Sequence, residues 1–137
     1  LGGEWPQRLD VHKALAATAD FNAGAAWLKD FPAPRETAYQ YFKEALIVWT
    51  FVQAQPWFLE HGVRMNSVAP GPVFTPILND FVSMLGAERT EADAHRMKRP
   101  AYADEVAAVI AFCCAEESRW INGVNLPVDG GLASTYI

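Results

Sequence analysis

Tyr39 and Lys43 stand four residues apart in the stretch ETAYQYFKEAL, residues 36–46, which reads as the first turns of a long apolar helix. One helical turn puts such a pair on the same face. A free tyrosine titrates near pH ~10, so it is a poor base at neutrality, but an ammonium one turn away stabilises the phenolate. A phenol tuned in this way can pass a proton to or from an alcohol oxygen. The spacing alone is common. The same two residues also read as a surface lysine laid along an aromatic ring.

A second chemical signal lies in PGPVFT, residues 70–75. A short predicted strand runs into a Pro-Gly-Pro turn, followed by exposed backbone and a threonine hydroxyl. In open α/β sheets, ligands bind at the carboxyl ends of parallel strands. The Val73 backbone N–H and the Thr75 hydroxyl suit a flat carboxamide. An ordinary turn is the alternative. Other constellations fail. His12, His61 and His95 lie far apart without ligand spacing, so no metal site is expected and each reads as a surface or helix-end histidine. No G-x-S-x-G surrounds Ser67, Ser83, Ser118 or Ser134, which argues against a hydrolase elbow.

The bulk composition sets limits. The chain has 137 residues, 51% hydrophobic and 20% charged, enough for one domain with a core. A net charge of −5 offers no attraction to nucleic acid or anionic membrane, and the five tryptophans read as core or interface. The longest apolar run, ALIVWTFV at 45–52, is far too short to cross a bilayer. Cys113 and Cys114 are adjacent and are expected as buried small hydrophobes in a reducing compartment, so the expected location is cytoplasmic. The first residue is Leu1 rather than Met, and a longer coding unit is expected.

The elements that must position these residues follow from pattern. Residues 1–10 read as loop, and 11–31 as one or two short helices broken near Asn22-Ala23-Gly24. Pro34 and Glu36 open a helix over 35–60, apolar on more than one side and therefore packed against several neighbours or a second subunit. Pro56 should end or kink it. A strand around 63–69 leads into the Pro-Gly-Pro turn. Residues 77–99 read as helix–turn–helix, of the kind that covers a site. A helix over 103–117 carries Asp104 and Glu105 at its positive end, and a strand around 124–128 precedes Asp129-Gly130-Gly131. Helix, strand, helices, strand implies parallel α/β. Two strands are few for such a sheet, so more are expected N-terminal to this chain.

Four motifs agree in order and spacing: Tyr39-x-x-x-Lys43, VRMNSVAPGPVFTP, ADEVAAVIAF and NGVNLPVDGG. Together they resemble the C-terminal half of the short-chain dehydrogenase/reductase family over about residues 35–131. Residues 1–34 resemble the insertion of its bacterial 3α-hydroxysteroid dehydrogenase/carbonyl reductase branch. The resemblance implies a partial Rossmann-like, doubly wound α/β fold with two parallel strands plus helices. It implies an oxidoreductase using NAD or NADP that interconverts a hydroxyl and a carbonyl on a small-molecule alcohol or ketone, steroid-like or otherwise hydrophobic. Tyr39 would be the acid–base, and Lys43 would support its phenolate and hydrogen-bond the nicotinamide ribose. Pro70, Gly71, Pro72, Val73 and Thr75 would line the nicotinamide. Pro76, Ile77, Leu78, Phe81 and Met84 would belong to a substrate lid over about 76–99. The helix at 35–60 would form a homodimer or tetramer interface. The departures from the family pattern matter. No G-x-x-x-G-x-G stretch for the pyrophosphate is present. The residue that selects NAD over NADP, the Asn of the upstream loop and the Ser that polarises the substrate carbonyl are expected in a part preceding Leu1. The chain by itself is therefore expected to be inactive. The competing reading is a non-catalytic α/β remnant serving dimerisation or binding.

Overall fold

In the computed structural model, which describes residues 5–136 apart from the side chains of Phe81 and Leu85, Asp20 decides where the first helical segment breaks. Its carboxylate accepts from the Ala23 N–H at 2.9 Å and caps helix α2, Phe21–Asp30, while α1, Leu9–Ala16, ends before it. The break expected at residues 22–24 therefore falls at 17–20, and Gly24 is buried inside α2. Of the loop expected over 1–10, residues 1–4 lie outside the described residues, 5–8 form a turn, and Leu9 and Asp10 are already helical.

A 3-10 turn, Arg35–Thr37, leads into α3, Ala38–His61. The helix runs through Pro56 instead of ending there. Proline removes one helical N–H and frees the carbonyl four residues back. Here that residue is Val52, which is exposed along with Pro56 itself, so water can take the bond. Gly62 then stops the helix with φ 67° and its N–H on the Phe58 carbonyl at 2.9 Å. The buried face of α3 carries Tyr41, Glu44, Ile47, Val48, Thr50 and Ala54. The neighbours expected around the whole helix are not found among the described residues, where Phe42, Leu46, Trp49 and Leu59 remain exposed.

Strands β1, Ser67–Pro70, and β2, Asn125–Val128, make a two-stranded sheet. The Ser67 N–H bonds the Val124 carbonyl at 2.9 Å and the Gly71 N–H bonds that of Val128 at 3.0 Å. Partner numbers rise together, so the strands are parallel, as the order of elements implied. Two asparagines fix the register below the strands. Asn122 Oδ1 accepts from the Met65 N–H at 2.8 Å while its Nδ2 donates to the Ala54 carbonyl at 3.0 Å. Asn66 reciprocates, donating to the Ile121 carbonyl at 3.0 Å and accepting from the Val124 N–H at 3.2 Å.

The chain divides into two compact units, and the division cuts both strands. One holds α1–α3 with Ile121–Asn125; its core is the buried face of α3. The other runs from Val68 to Trp120 and again from Leu126 onward. It contains α4, Leu78–Leu85, and α5, Ala87–Met97, joined at Gly86, then α6, Ala103–Cys114, and a closing 3-10 segment, Leu132–Tyr136. Val106 and Leu132 are its buried apolar residues among those described. Helix α6 stops at Cys114, short of the expected 117. It turns Val106, Val109 and Cys113 inward, and Cys114 sits a further ~100° round the helix, so it is exposed. The expectation that both cysteines are buried is thus corrected: Cys113 is half-buried, Cys114 is exposed, and they are not joined in a disulfide. Among the described residues no helix is long and apolar enough to cross a membrane.

Candidate active site

Tyr39 lies in the first turn of α3 and Lys43 one turn on. The Lys43 Nζ stands 5.5 Å from the Tyr39 ring centroid, so the expected juxtaposition is present, with the cation over the ring. Both side chains are exposed. On the opposite, buried side of the same helix, Glu44 receives Arg8 Nη1 and His12 Nε2, each at 3.1 Å from Oε2. His12 is fully buried and meets the Tyr41 ring edge-on at 4.7 Å. Burial pushes the Tyr41 hydroxyl above its ordinary pKa. The surface or helix-end role expected for His12 is therefore wrong. It is a core residue that fastens α1 to α3, because Glu44 needs a donor inside the seam. The sequence held one signal for this, an Arg8/His12 pair at helical i,i+4 spacing. His61 and His95 are exposed, and among the described residues no three potential metal ligands cluster.

In the other unit, the turn after β1 is held from two sides. Val73 bridges Ala101 in parallel fashion: the Phe74 N–H bonds the Ala101 carbonyl and the Ala101 N–H bonds that of Pro72, both at 2.9 Å. In such a ladder the N–H of Val73 itself points to the other side. No acceptor takes it among the described residues. Thr75 Oγ1 makes only a long 3.4 Å contact with the Val73 carbonyl. A free amide and a weakly engaged hydroxyl two residues apart fit a carboxamide, with one donor for its oxygen and one oxygen for its nitrogen. Gly71 is required: a Cβ there would lie 3.0 Å from both Cα and Cβ of Asp129 and 3.4 Å from the Met97 sulfur. Asp129 in turn accepts from the Gly131 and Ala133 N–H groups, each at 2.9 Å, which locks the Asp129-Gly130-Gly131 bend. Pro70 is exposed and Pro72 half-buried. Of the expected lid residues, Pro76 and Ile77 precede α4 and are exposed, Leu78 opens it half-buried, and Met84 is exposed near its end. The Phe81 side chain lies outside the described residues.

Against this geometry, the profile of the family described as Enoyl-(Acyl carrier protein) reductase matches residues 27–133. The chain belongs to the short-chain dehydrogenase/reductase family. Among curated members of this oxidoreductase family, Coniferyl-alcohol dehydrogenase from Pseudomonas sp. (strain HR199 / DSM 7063) is 72% identical over all 137 residues, which amount to 54% of its own length. Levodione reductase from Leifsonia aquatica is 32% identical over 82 residues, 56% of this chain and 31% of that protein. A crystal structure of levodione reductase superposes with TM-score 0.63 at 28% identity, covering 77% of this chain and 43% of the other. That of a putative 2-deoxy-d-gluconate 3-dehydrogenase from Agrobacterium tumefaciens, with bound NADP, gives 0.61 at 25% identity, covering 71% and 39%. The chain spans about half the length of the first relative and less of the others. None of these relatives carries a hydroxysteroid name, so the branch expected from residues 1–34 draws no support from them.

Proposed function

We propose that this chain contributes the proton-handling pair and the carboxamide-binding turn of an NAD(P)-dependent dehydrogenase that interconverts a hydrophobic, aryl-conjugated primary alcohol and its aldehyde. The observation that carries this reading is 72% identity to a coniferyl-alcohol dehydrogenase across the whole chain, Tyr39 and Lys43 included in the aligned span. A nicotinamide cofactor, when bound, supplies the hydride acceptor. In the oxidation direction the Tyr39 phenolate takes the alcohol O–H proton as the C–H hydride leaves, so that the carbonyl forms with charge balanced. The Lys43 ammonium steadies that phenolate and offers donors to the ribose hydroxyls. The Val73 N–H and Thr75 hydroxyl would hold the carboxamide of that cofactor. Ile77, Leu78 and Met84 supply apolar cover suited to an aryl ring, and a compact aromatic alcohol replaces the steroid-like substrate considered from sequence.

The test is Tyr39→Phe in the protein that carries this chain, assayed for coniferyl-alcohol oxidation with either cofactor. Turnover is expected to fall about 10²- to 10⁴-fold with cofactor affinity retained. Turnover within a few-fold of the parent would remove Tyr39 from the reaction.

A second reading, the interface module, rests on the exposed apolar row Phe42, Leu46 and Trp49 of α3. These residues stand at i, i+4 and i+7 and suit a homodimer through α3. Trp49→Glu should shift the sedimentation coefficient toward the monomer; an unchanged value rules out that seam.

A further inference from the structure

Tyr136 closes the described chain, and no motif in the sequence draws attention to it. Its hydroxyl donates to Asp93 Oδ1 at 2.5 Å. The Arg96 guanidinium carbon lies 4.7 Å from the Tyr136 ring centroid, and Arg96 Nη1 lies 3.7 Å from the same carboxylate oxygen. Asp93 is only 4% exposed, although it sits on the otherwise polar helix α5. A buried carboxylate is costly unless it is paired and hydrogen-bonded, and these two partners meet both needs. The hydrogen bond to Asp93 also raises the Tyr136 hydroxyl above its ordinary pKa, so it stays protonated and able to donate through neutral pH.

The other end of the closing segment is equally fixed. Leu132 is fully buried, and Asp129 caps the segment through its bonds to Gly131 and Ala133. One residue after Arg96 comes Met97, the last residue of α5. Its sulfur lies 3.4 Å from the Cβ position of Gly71, and its Cβ lies 3.7 Å from that of Gly130. Lys98 follows with φ 70°, a region where a side chain is strained. Such strain persists only where the surroundings over-determine it. Helix α5 is therefore gripped by Tyr136 near its end, and its last side chain fills the space between Gly71 and the Asp129-Gly130-Gly131 bend.

We propose that Tyr136 is a positioning residue for the cofactor turn: through Asp93 and Arg96 it sets α5 so that Met97 seats against Gly71, and so holds Pro70–Thr75 in its carboxamide-binding shape. This rests on the dehydrogenase reading above. The test uses the protein that carries this chain and measures binding, not turnover, by titrating NADH and NADPH and following their fluorescence. Tyr136→Phe keeps the ring and removes the donor. It is expected to weaken cofactor binding about tenfold, the scale of one lost charge-assisted hydrogen bond, with kcat at saturating cofactor within about threefold. Asp93→Asn keeps an acceptor for the hydroxyl and should remain within about threefold of the parent affinity. Met97→Ala leaves the Tyr136–Asp93 bond in place and should weaken binding as Tyr136→Phe does, which serves as the second route if the phenylalanine variant fails to fold. Parent-like affinity in Tyr136→Phe or in Met97→Ala overturns the proposal. So does an Asp93→Asn protein that melts like the parent yet binds as weakly as Tyr136→Phe. A parent that binds neither cofactor overturns the dehydrogenase reading, and this inference with it.

Discussion

Gly71 leaves no space for a larger residue. The atoms a Cβ would strike at 3.0 Å are Asp129 Cα and Cβ, which belong to the sheet end and cannot swing aside as a long side chain would. Gly71→Ala should therefore cost about 1–3 kcal/mol in urea unfolding through overpacking, and weaken cofactor binding as well. A parent-like midpoint would mean that the turn relaxes freely. Glu44 is the complementary case, a residue whose partners matter more than its space. Glu44→Ala removes the acceptor that Arg8 and the buried His12 share in the α1–α3 seam and should cost about 3 kcal/mol, read as a lower thermal midpoint. The placement of Lys43 beside Tyr39 and the tight turn at Gly71 were legible in the sequence because each depends on local spacing. Glu44 and His12 were not. A helix apolar on several sides does not advertise which of its few charged residues faces inward, and the deciding partner sits 32 residues away.

At the scale of elements, α6 begins with a charge arrangement that titrates. Glu105 receives both Arg99 nitrogens at 2.8 Å and the Tyr102 N–H at 2.7 Å. Chiefly the Arg99 hydrogen bonds, then the Tyr102 amide, lower its carboxyl pKa from 4.5 to about 2. A carboxylate whose folded value lies below its unfolded one stabilises fully above the unfolded value and loses that contribution as pH falls through the folded one. The start of α6 should thus weaken between about pH 4.5 and pH 2. NMR titration of the Glu105 side-chain carboxyl should give a midpoint near 2, and a midpoint near 4.5 would show the Arg99 pair absent in solution. The element order and the parallel pairing could be read from turn signals and hydrophobic period. Two boundaries could not. The first break obeys the Asp20 cap more than the glycine that follows, and α3 outlasts Pro56 where the freed carbonyl belongs to an exposed residue, Val52.

For the whole molecule, the sequence contains no G-x-x-x-G-x-G stretch, and under the proposed reading it would offer a dinucleotide the nicotinamide end alone. The 137-residue chain by itself is expected to bind NADH no tighter than about 1 mM, since a carboxamide contact contributes little beside a pyrophosphate held on a helix N-terminus. Micromolar affinity in a calorimetric titration would show a cofactor cradle that neither motif nor geometry reveals.

One of the two asparagines that set the strand register carries a chemical clock. Asn122 is followed by Gly123, the sequence context in which asparagine side chains most readily hydrolyse to aspartate. Its Nδ2 donates to the Ala54 carbonyl, and Gly123 lies so near that its Cβ position is 3.2 Å from Ala54 Cβ. Conversion to aspartate would place a carboxylate oxygen against that carbonyl, turning an attraction into a repulsion at the foot of both strands. Material deamidated at this one amide should separate as a more acidic and less stable species.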